Sequence, residues 1–226
     1  MNIIDETIVV ITGLINELFV DNLIKSYKNT NNKLISTWYD QDKDLIELLR
    51  INNFKIVLNF YPKHINSTNV QIYSAHRGTQ EAKKLGYKYV CHTRTDVFPL
   101  NYIEFLTRCQ ELYTQKLMII SGIPTHVLFL QILTAGPINE ILKFYNKLQE
   151  PHDTRFPEIY LMETYLGKKD LTKEDIKTHF NICLNLCRKY DIEFIWVRPP
   201  WWGIGCRTIP MMKVINEYCK ESDVYE

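Results

Sequence analysis

The hydrophobic pattern changes period several times along the first half of the chain. Thr7 to Ile15, TIVVITGLI, is an apolar, β-branched run that closes at Gly13, and Val20, Leu23, Ile24 and Tyr27 then recur at helical spacing. KLISTWY (Lys33 to Tyr39) predicts a second strand, and Asp42 or Asp44 can cap a helix with Leu45, Leu48 and Leu49 inward. FKIVLNFYP (Phe54 to Pro62) predicts a third strand, stopped by proline. After a polar loop, SAHRGTQEAKKLGYKYV predicts a helix that turns Ala75, Ala82 and Leu85 inward and ends at Gly86. YKYVCHTRT follows as a fourth strand, and Asn101 caps a helix carrying Tyr102, Phe105, Leu106 and Cys109 on one face. KLMIISG (Lys116 to Gly122) is the next buried strand.

This alternation of strand and helix builds an open, mostly parallel sheet with helices on both faces. The second half is less regular. HVLFLQILTAG and IEFIWVRPP read as strands, and helices are expected over 138–148, over 173–189 behind Thr172, and near 212–220. No linker, repeat or low-complexity block interrupts the 226 residues, so the expectation is one α/β domain over 1–226, with 1–122 as its ligand-binding half.

Charge narrows the classes. Lys plus Arg number 27 against 26 Asp plus Glu, which leaves no excess of positive charge to hold a nucleic-acid backbone or an anionic membrane. The start of the chain has no basic leader and no apolar run near the ~20 residues of a membrane span, and the expected location is cytoplasmic. The six cysteines form no C-x-x-C pair, and Cys183 and Cys187 share a helical face with Phe180 and Leu184. They read as reduced core thiols rather than a metal cluster.

In sheets of this kind ligands bind outside the carboxyl ends of the strands. Thr12 and Gly13 end the first strand, Ser36 and Thr37 the second, and Arg94, Thr95 and Asp96 the fourth, so all are expected on one rim. Arg94 and Asp96 alternate along extended backbone and so point the same way. They suit a diphosphate, met by a hard divalent cation on Asp96 and a guanidinium fork on Arg94; they equally suit an ion pair that closes a strand end. ITGLIN has neither a G-x-G-x-x-G pattern nor a Walker lysine, which weakens dinucleotide and P-loop readings.

The run NVQIYSAHRGTQEAKKLGYKYVCHTRTDVFP resembles the core motif of the WavE-type lipopolysaccharide-synthesis family, in which an R-T-D strand end follows a Q-I-x-S-x-x-x-G helix start. VVITG, ISTWYDQD and FPEIYLMETYL are similar to that family's other segments, in the same order, with the first ~100 residues covered best. The resemblance implies a GT-A, Rossmann-like glycosyltransferase that uses a nucleotide-sugar donor and a glycan acceptor, with Mn²⁺ or Mg²⁺ on Asp96. Asp96 would match the last Asp of that fold's D-x-D, whereas Arg94 stands where the first Asp is usual.

Glycosyl transfer with inversion requires a carboxylate to take the acceptor's proton, and FPEIYLMETYL offers Glu158 and Glu163. Thr12, Gly13, Ser36 and Thr37 are candidate nucleotide contacts, beside the alternatives of a strand-to-loop turn and core packing. Arg77 and Gly78, expected near a helix start, could favour an anion. VRPPWWGIGCR offers Trp202 to stack on a sugar and Arg207 to neutralise phosphate, or else a packed loop. Two rivals stand beside the transferase: a relative that binds nucleotide-sugar without turnover, and an unrelated Rossmann-like methyltransferase.

Overall fold

A computed structural model describes residues 3–99, 102–121, 131–182, 194–198 and 207–210. The expected beginning is present: β1 (Thr7–Thr12), α1 (Glu17–Ser26), β2 (Lys33–Trp38), α2 (Lys43–Ile51), β3 (Lys55–Asn59), α3 (Ser67–Lys84) and β4 (Tyr89–Arg94). A short strand, β5 (Val97–Pro99), precedes α4 (Tyr102–Gln115), β6 (Leu117–Ser121) and β7 (Gln131–Pro137). There follow α5 (Ile138–Phe144), α6 (Pro157–Leu166), α7 (Lys173–His179) and the strands β8 (Phe180–Ile182), β9 (Phe194–Arg198) and β10 (Arg207–Pro210).

The large sheet has the order β3-β2-β1-β4-β7-β6-β8, and a small sheet has the order β10-β9-β5. β3, β2, β1 and β4 are mutually parallel, while β7 runs antiparallel to both β4 and β6. The fold is thus an open, mostly parallel α/β sheet of Rossmann-like form.

Burial on β1 explains the layering. Val9 and Ile11 join a cluster with Phe19, Leu23, Ile46, Leu49, Phe105 and Leu106, which places α1, α2 and α4 on one face. Ile8 and Val10 join Ile72, Ala75, Ile141, Phe144 and Leu161 on the other, under α3, α5 and α6. All four β1 side chains are fully buried, and each such burial stabilises by roughly 1.5–3 kcal/mol. A strand buried on both faces reads as a continuous apolar run, as this one does. Cys91 and Cys109 are fully buried, in keeping with core residues; Cys183 and Cys187 lie outside the described residues.

Several expectations need correction. α2 is capped by Asp42, whose carboxylate accepts from the amides of Asp44 and Leu45, but it buries Ile46 and Leu49 and leaves Leu48 exposed. α3 begins at Ser67, capped by Asn66, well before Ser74; a polar first turn hid its start, and Leu85 at its end is exposed. Arg77 and Gly78 therefore lie deep in the helix and not at its amino end. The helix expected over 173–189 gives way at Phe180 to β8, and the small sheet through β5 was unforeseen. The region expected as a terminal helix near 212–220 lies outside the described residues.

Gly78 has a packing role. A Cβ there would stand 2.6 Å from Val10 Cγ1 and 2.9 Å from Ser36 Cβ, so the glycine lets α3 approach β1 and β2 closely. Gly78→Ala is expected to destabilise by about 1–2 kcal/mol despite alanine's better helix propensity, because overpacking a tight contact outweighs the gain. Urea unfolding of the two proteins measures this directly; an unchanged midpoint would show that the layers have room to part.

Candidate functional site

The strand order reverses between β1 and β4. β1 connects onward to β2 on one side and receives β4 on the other, with Thr12 and Arg94 as Cα partners at their carboxyl ends. The crevice outside such a reversal is where α/β sheets hold ligands. Arg94, Thr95 and Asp96 lie at this point, followed at once by β5.

The rim is built on a tightly bonded floor. The Thr95 amide donates to the Thr12 carbonyl at 2.9 Å, and Thr37 Oγ1 donates to the Gly13 carbonyl at 2.7 Å. Gly13 has φ +135, and a Cβ there would stand 2.4 Å from Thr95 Oγ1, so only glycine lets the β1 loop lie against Thr95. Ser36 Oγ donates to the Ser74 carbonyl and accepts from Asn59 Nδ2, which ties β2, β3 and α3 together. Thr12, Ser36, Thr37 and Thr95 are all buried, and their hydroxyl or backbone groups hold the scaffold. They hold the strand ends of the rim in place. Gly13 serves that rim through its backbone.

Beneath Thr12 lies a buried polar chain that the strand pattern did not reveal. Thr12 Oγ1 is 2.9 Å from His92 Nε2, and His92 Nδ1 is 2.9 Å from the Tyr145 hydroxyl, which also donates to Thr134 Oγ1. A neutral ring can donate from one nitrogen and accept at the other, so it satisfies both contacts. Burial, reinforced by the Arg94 charge, pushes His92 down to about 3 from an ordinary 6.5. A folded value below the unfolded one means that the stabilising contribution is complete above pH 6.5 and is lost as pH falls toward 3. The native chain is expected to lose ~1.4 kcal/mol per pH unit through this group across that window. Denaturant titrations should show a shallower pH dependence for His92→Gln; an identical slope would mean that His92 charges freely in the fold.

Above this floor, Arg94 and Asp96 form a two-point fork: Nε donates to Oδ1 at 2.8 Å and Nη2 donates to Oδ2 at 2.6 Å. The side chains are 27% and 12% exposed, so the pair is partly desolvated yet reachable. Burial by itself would lower the Arg94 pKa, but the charge and hydrogen bonds of Asp96, with Glu158 beyond, outweigh it and raise the value. Glu158 stands in the first turn of α6, placed there by Pro157, and it is half-buried. One guanidinium thus serves two carboxylates from different parts of the chain.

Glu163 occupies a different setting. Arg155 Nη1 donates to its Oε2, the Asp170 amide donates to its Oε1 at 2.9 Å, and Arg155 also engages Asp153. The carboxylate is 8% exposed and closes the loop before α6. Glu163 is thereby occupied in structure. Arg77 is an exposed helix arginine that donates to Gln80, and Gly78 is covered by the sheet, so neither meets an anion at a helix start as expected. Trp202 lies outside the described residues, and Arg207 opens β10.

The rim also carries two exposed aromatic groups to which the sequence reading gave no role. Tyr39 and Phe60, 55% and 72% exposed, pack at a centroid distance of 4.8 Å just past β2 and β3. Trp38 is fully buried and stacks on Tyr61. The signal was the cluster of aromatics at 38–39 and 60–61, two strand ends that parallel pairing brings together.

A divalent cation would find a poor fit in this arrangement. Such ions take six or more oxygen ligands, or several waters with one or two carboxylates. Both Asp96 oxygens already accept from Arg94, and among the described residues no group of three His, Cys, Asp or Glu side chains could hold a metal ion. Among the described residues no helix is long and apolar enough to cross a membrane.

No family model matches the chain, and no curated protein matches it. Solved structures with a similar course include a cytidylyltransferase from Leptospira borgpetersenii, at 8% identity and TM-score 0.49, covering 98% of this chain and 99% of that one. A glycosyltransferase involved in the glycosylation of the major capsid of PBCV-1 is similar at 9% identity and TM-score 0.45, covering 81% and 88%.

Proposed function

We propose that the protein is a transferase of GT-A type that takes a sugar from a nucleoside-diphosphate donor and passes it to a glycan acceptor. The supporting observation is the Arg94–Asp96 fork at the β1/β4 reversal, with the charge of Glu158 acting on the same guanidinium. Arg94 binds the diphosphate by exchanging a carboxylate fork for a phosphate one, a geometry suited to guanidinium. For an inverting displacement, the acceptor oxygen bonds to the sugar's anomeric carbon as the carbon–oxygen bond to the diphosphate breaks. Glu158 takes the acceptor's proton, and the electron pair leaves on the diphosphate.

The departing diphosphate needs its developing charge neutralised. Since Asp96 is engaged by Arg94, the guanidinium is the first assignment for that work. A binding relative without turnover is favoured by the same engagement, and product formation separates the two.

Thermal shifts with a panel of nucleoside diphosphates, each with Mn²⁺ or with EDTA, test the reading on the native chain and on Asp96→Asn. Stabilisation by at least one nucleotide, altered in the variant, supports a donor site on this rim. No response under either condition would remove the physical basis of the proposal.

A further inference from the structure

β3 is an edge of the large sheet. Among the described residues it pairs only with β2, in a parallel register that runs from Leu34 with Lys55 to Trp38 with Asn59. The Asn59 carbonyl accepts from the Tyr39 amide at 3.0 Å, so Asn59 turns its backbone groups toward β2 and, by the alternation of an extended strand, Val57 and Lys55 do the same. Ile56 and Leu58 therefore aim their N–H and C=O groups away from the sheet. Such an edge is a template for another strand, and native proteins blunt it with charged side chains, proline or bulges. KIVLN carries one charge, at its first residue, and no proline.

The side chains along this edge are apolar and exposed. Ile56 packs against the cluster under α1 and α2 and Val57 against the cluster under α3, which puts Leu58, 44% exposed, on the α2 side. Phe60 and Tyr39 continue the exposed surface past the strand ends, and α2, which packs on β3, adds Leu48 and Ile51. The exposed parts of these five side chains are on the order of 600 Å², against the ~800 Å² that each partner of a standard interface buries. Scattered apolar residues need no explanation, but these flank one strand edge.

The edge is also complementary to itself. A two-fold axis at Val57 sets β3 of two copies antiparallel, with Ile56 of each copy opposite Leu58 of the other. Both residues point their backbone groups at the edge, so each pair exchanges two N–H···O bonds, and both side chains lie on the α2 face as an apolar cross-strand pair. Lys55 then meets Asn59 and not a second lysine. Charges near the edge balance, Lys43, Arg50 and Lys55 against Asp42, Asp44 and Glu47, so two copies approach without net repulsion.

We propose that the chain forms a two-fold dimer through β3, which joins the two large sheets into one. The rims then open at opposite ends of the joined sheet, because the strands of the second copy run the other way. The dimer is independent of the donor reading, since neither the Arg94–Asp96 fork nor Glu158 takes part in it.

The experiment is sedimentation velocity between about 1 and 100 µM on the native chain, Leu58→Pro and Leu58→Lys, with hydrogen–deuterium exchange at both ends of that range. The Leu58 N–H points away from β2, so proline removes a donor at the edge without removing a ladder bond within the copy. Leu58→Lys puts a charge into the apolar cross-strand pair and keeps the test open should the proline variant fail to fold. The native chain should be dimeric at the upper concentrations and dissociate on dilution, Leu58→Lys should weaken the dimer about ten-fold or more, and Leu58→Pro should abolish it. Circular dichroism of the dilute variants should match that of the dilute native chain. The amides of Ile56 and Leu58 should exchange more slowly in the dimer, whereas the Tyr39 amide, bonded within the copy, should not change.

A native chain that stays monomeric throughout would leave the edge to a strand of another protein and overturn the proposal. Dimers of native affinity in both variants would place the contact on another face and overturn it as well. So would species that grow beyond two copies, which a closed two-fold contact does not allow.

Discussion

Arg94→Met is expected to cost about 3 kcal/mol of stability and most of the affinity for a donor nucleotide. The guanidinium donates to both oxygens of a largely buried carboxylate and is acted on by the charge of a second, so its loss leaves Asp96 and Glu158 without their shared cation. Breaking a desolvated pair from one side costs several kcal/mol, chiefly because a charge is stranded. The double variant Arg94→Met/Asp96→Leu should recover part of that loss, since it removes the stranded charge along with its partner. Chemical denaturation of the native chain, both single variants and the double variant closes the cycle. A cost below ~1 kcal/mol for Arg94→Met would class the fork with ordinary surface ion pairs.

The largest effect on turnover is expected from Glu158→Gln. If Glu158 takes the acceptor's proton, the amide should reduce turnover by about 10²-fold or more while donor affinity changes little, since general-base catalysis contributes roughly 10²–10⁴. Glu163→Gln provides the contrast. That carboxylate accepts from Arg155 and from the Asp170 amide, so its replacement should lower stability more than turnover. Steady-state rates with the donor identified by the nucleotide panel, set beside melting temperatures, separate the two glutamates. Equal losses of rate from both would argue that neither acts as the base and that α6 as a whole positions the acceptor.

The alternation of strand and helix was legible because β1 is buried on both faces and reads as a continuous apolar run, while β2 and β4 each carry a short apolar stretch before polar carboxyl ends. Their carboxyl ends therefore fall on one rim from the sequence pattern alone. The fork was legible too: residues two apart on extended backbone point one way, and Arg94 and Asp96 do meet.

What was hidden has physical reasons. The amino half of α3 starts with polar residues, of which Thr68 and Asn69 are buried against other parts of the chain. Asn69 Nδ2 donates to the Gln149 carbonyl, a contact that sequence spacing cannot show. The error in the start of α3 carried Arg77 and Gly78 into a role at a helix end that they do not hold. His92 looked like one residue of a buried strand, and only the fold brings Tyr145 to its second nitrogen. The small sheet joins β5 to strands about a hundred residues further along the chain, and a three-residue strand has no period to read.

The central claim is that the ligand lies outside the carboxyl ends of β1 and β4. Hydrogen–deuterium exchange of the native chain, with and without the nucleoside diphosphate that stabilises it most, measures this residue by residue. The account predicts slower exchange for the amides of Gly13 and Leu14 and of Thr95 to Val97, with no change at Glu6 and Lys88 at the opposite ends of the same strands. Protection confined to the opposite ends, or to the exposed faces of α2 and α5, would contradict it.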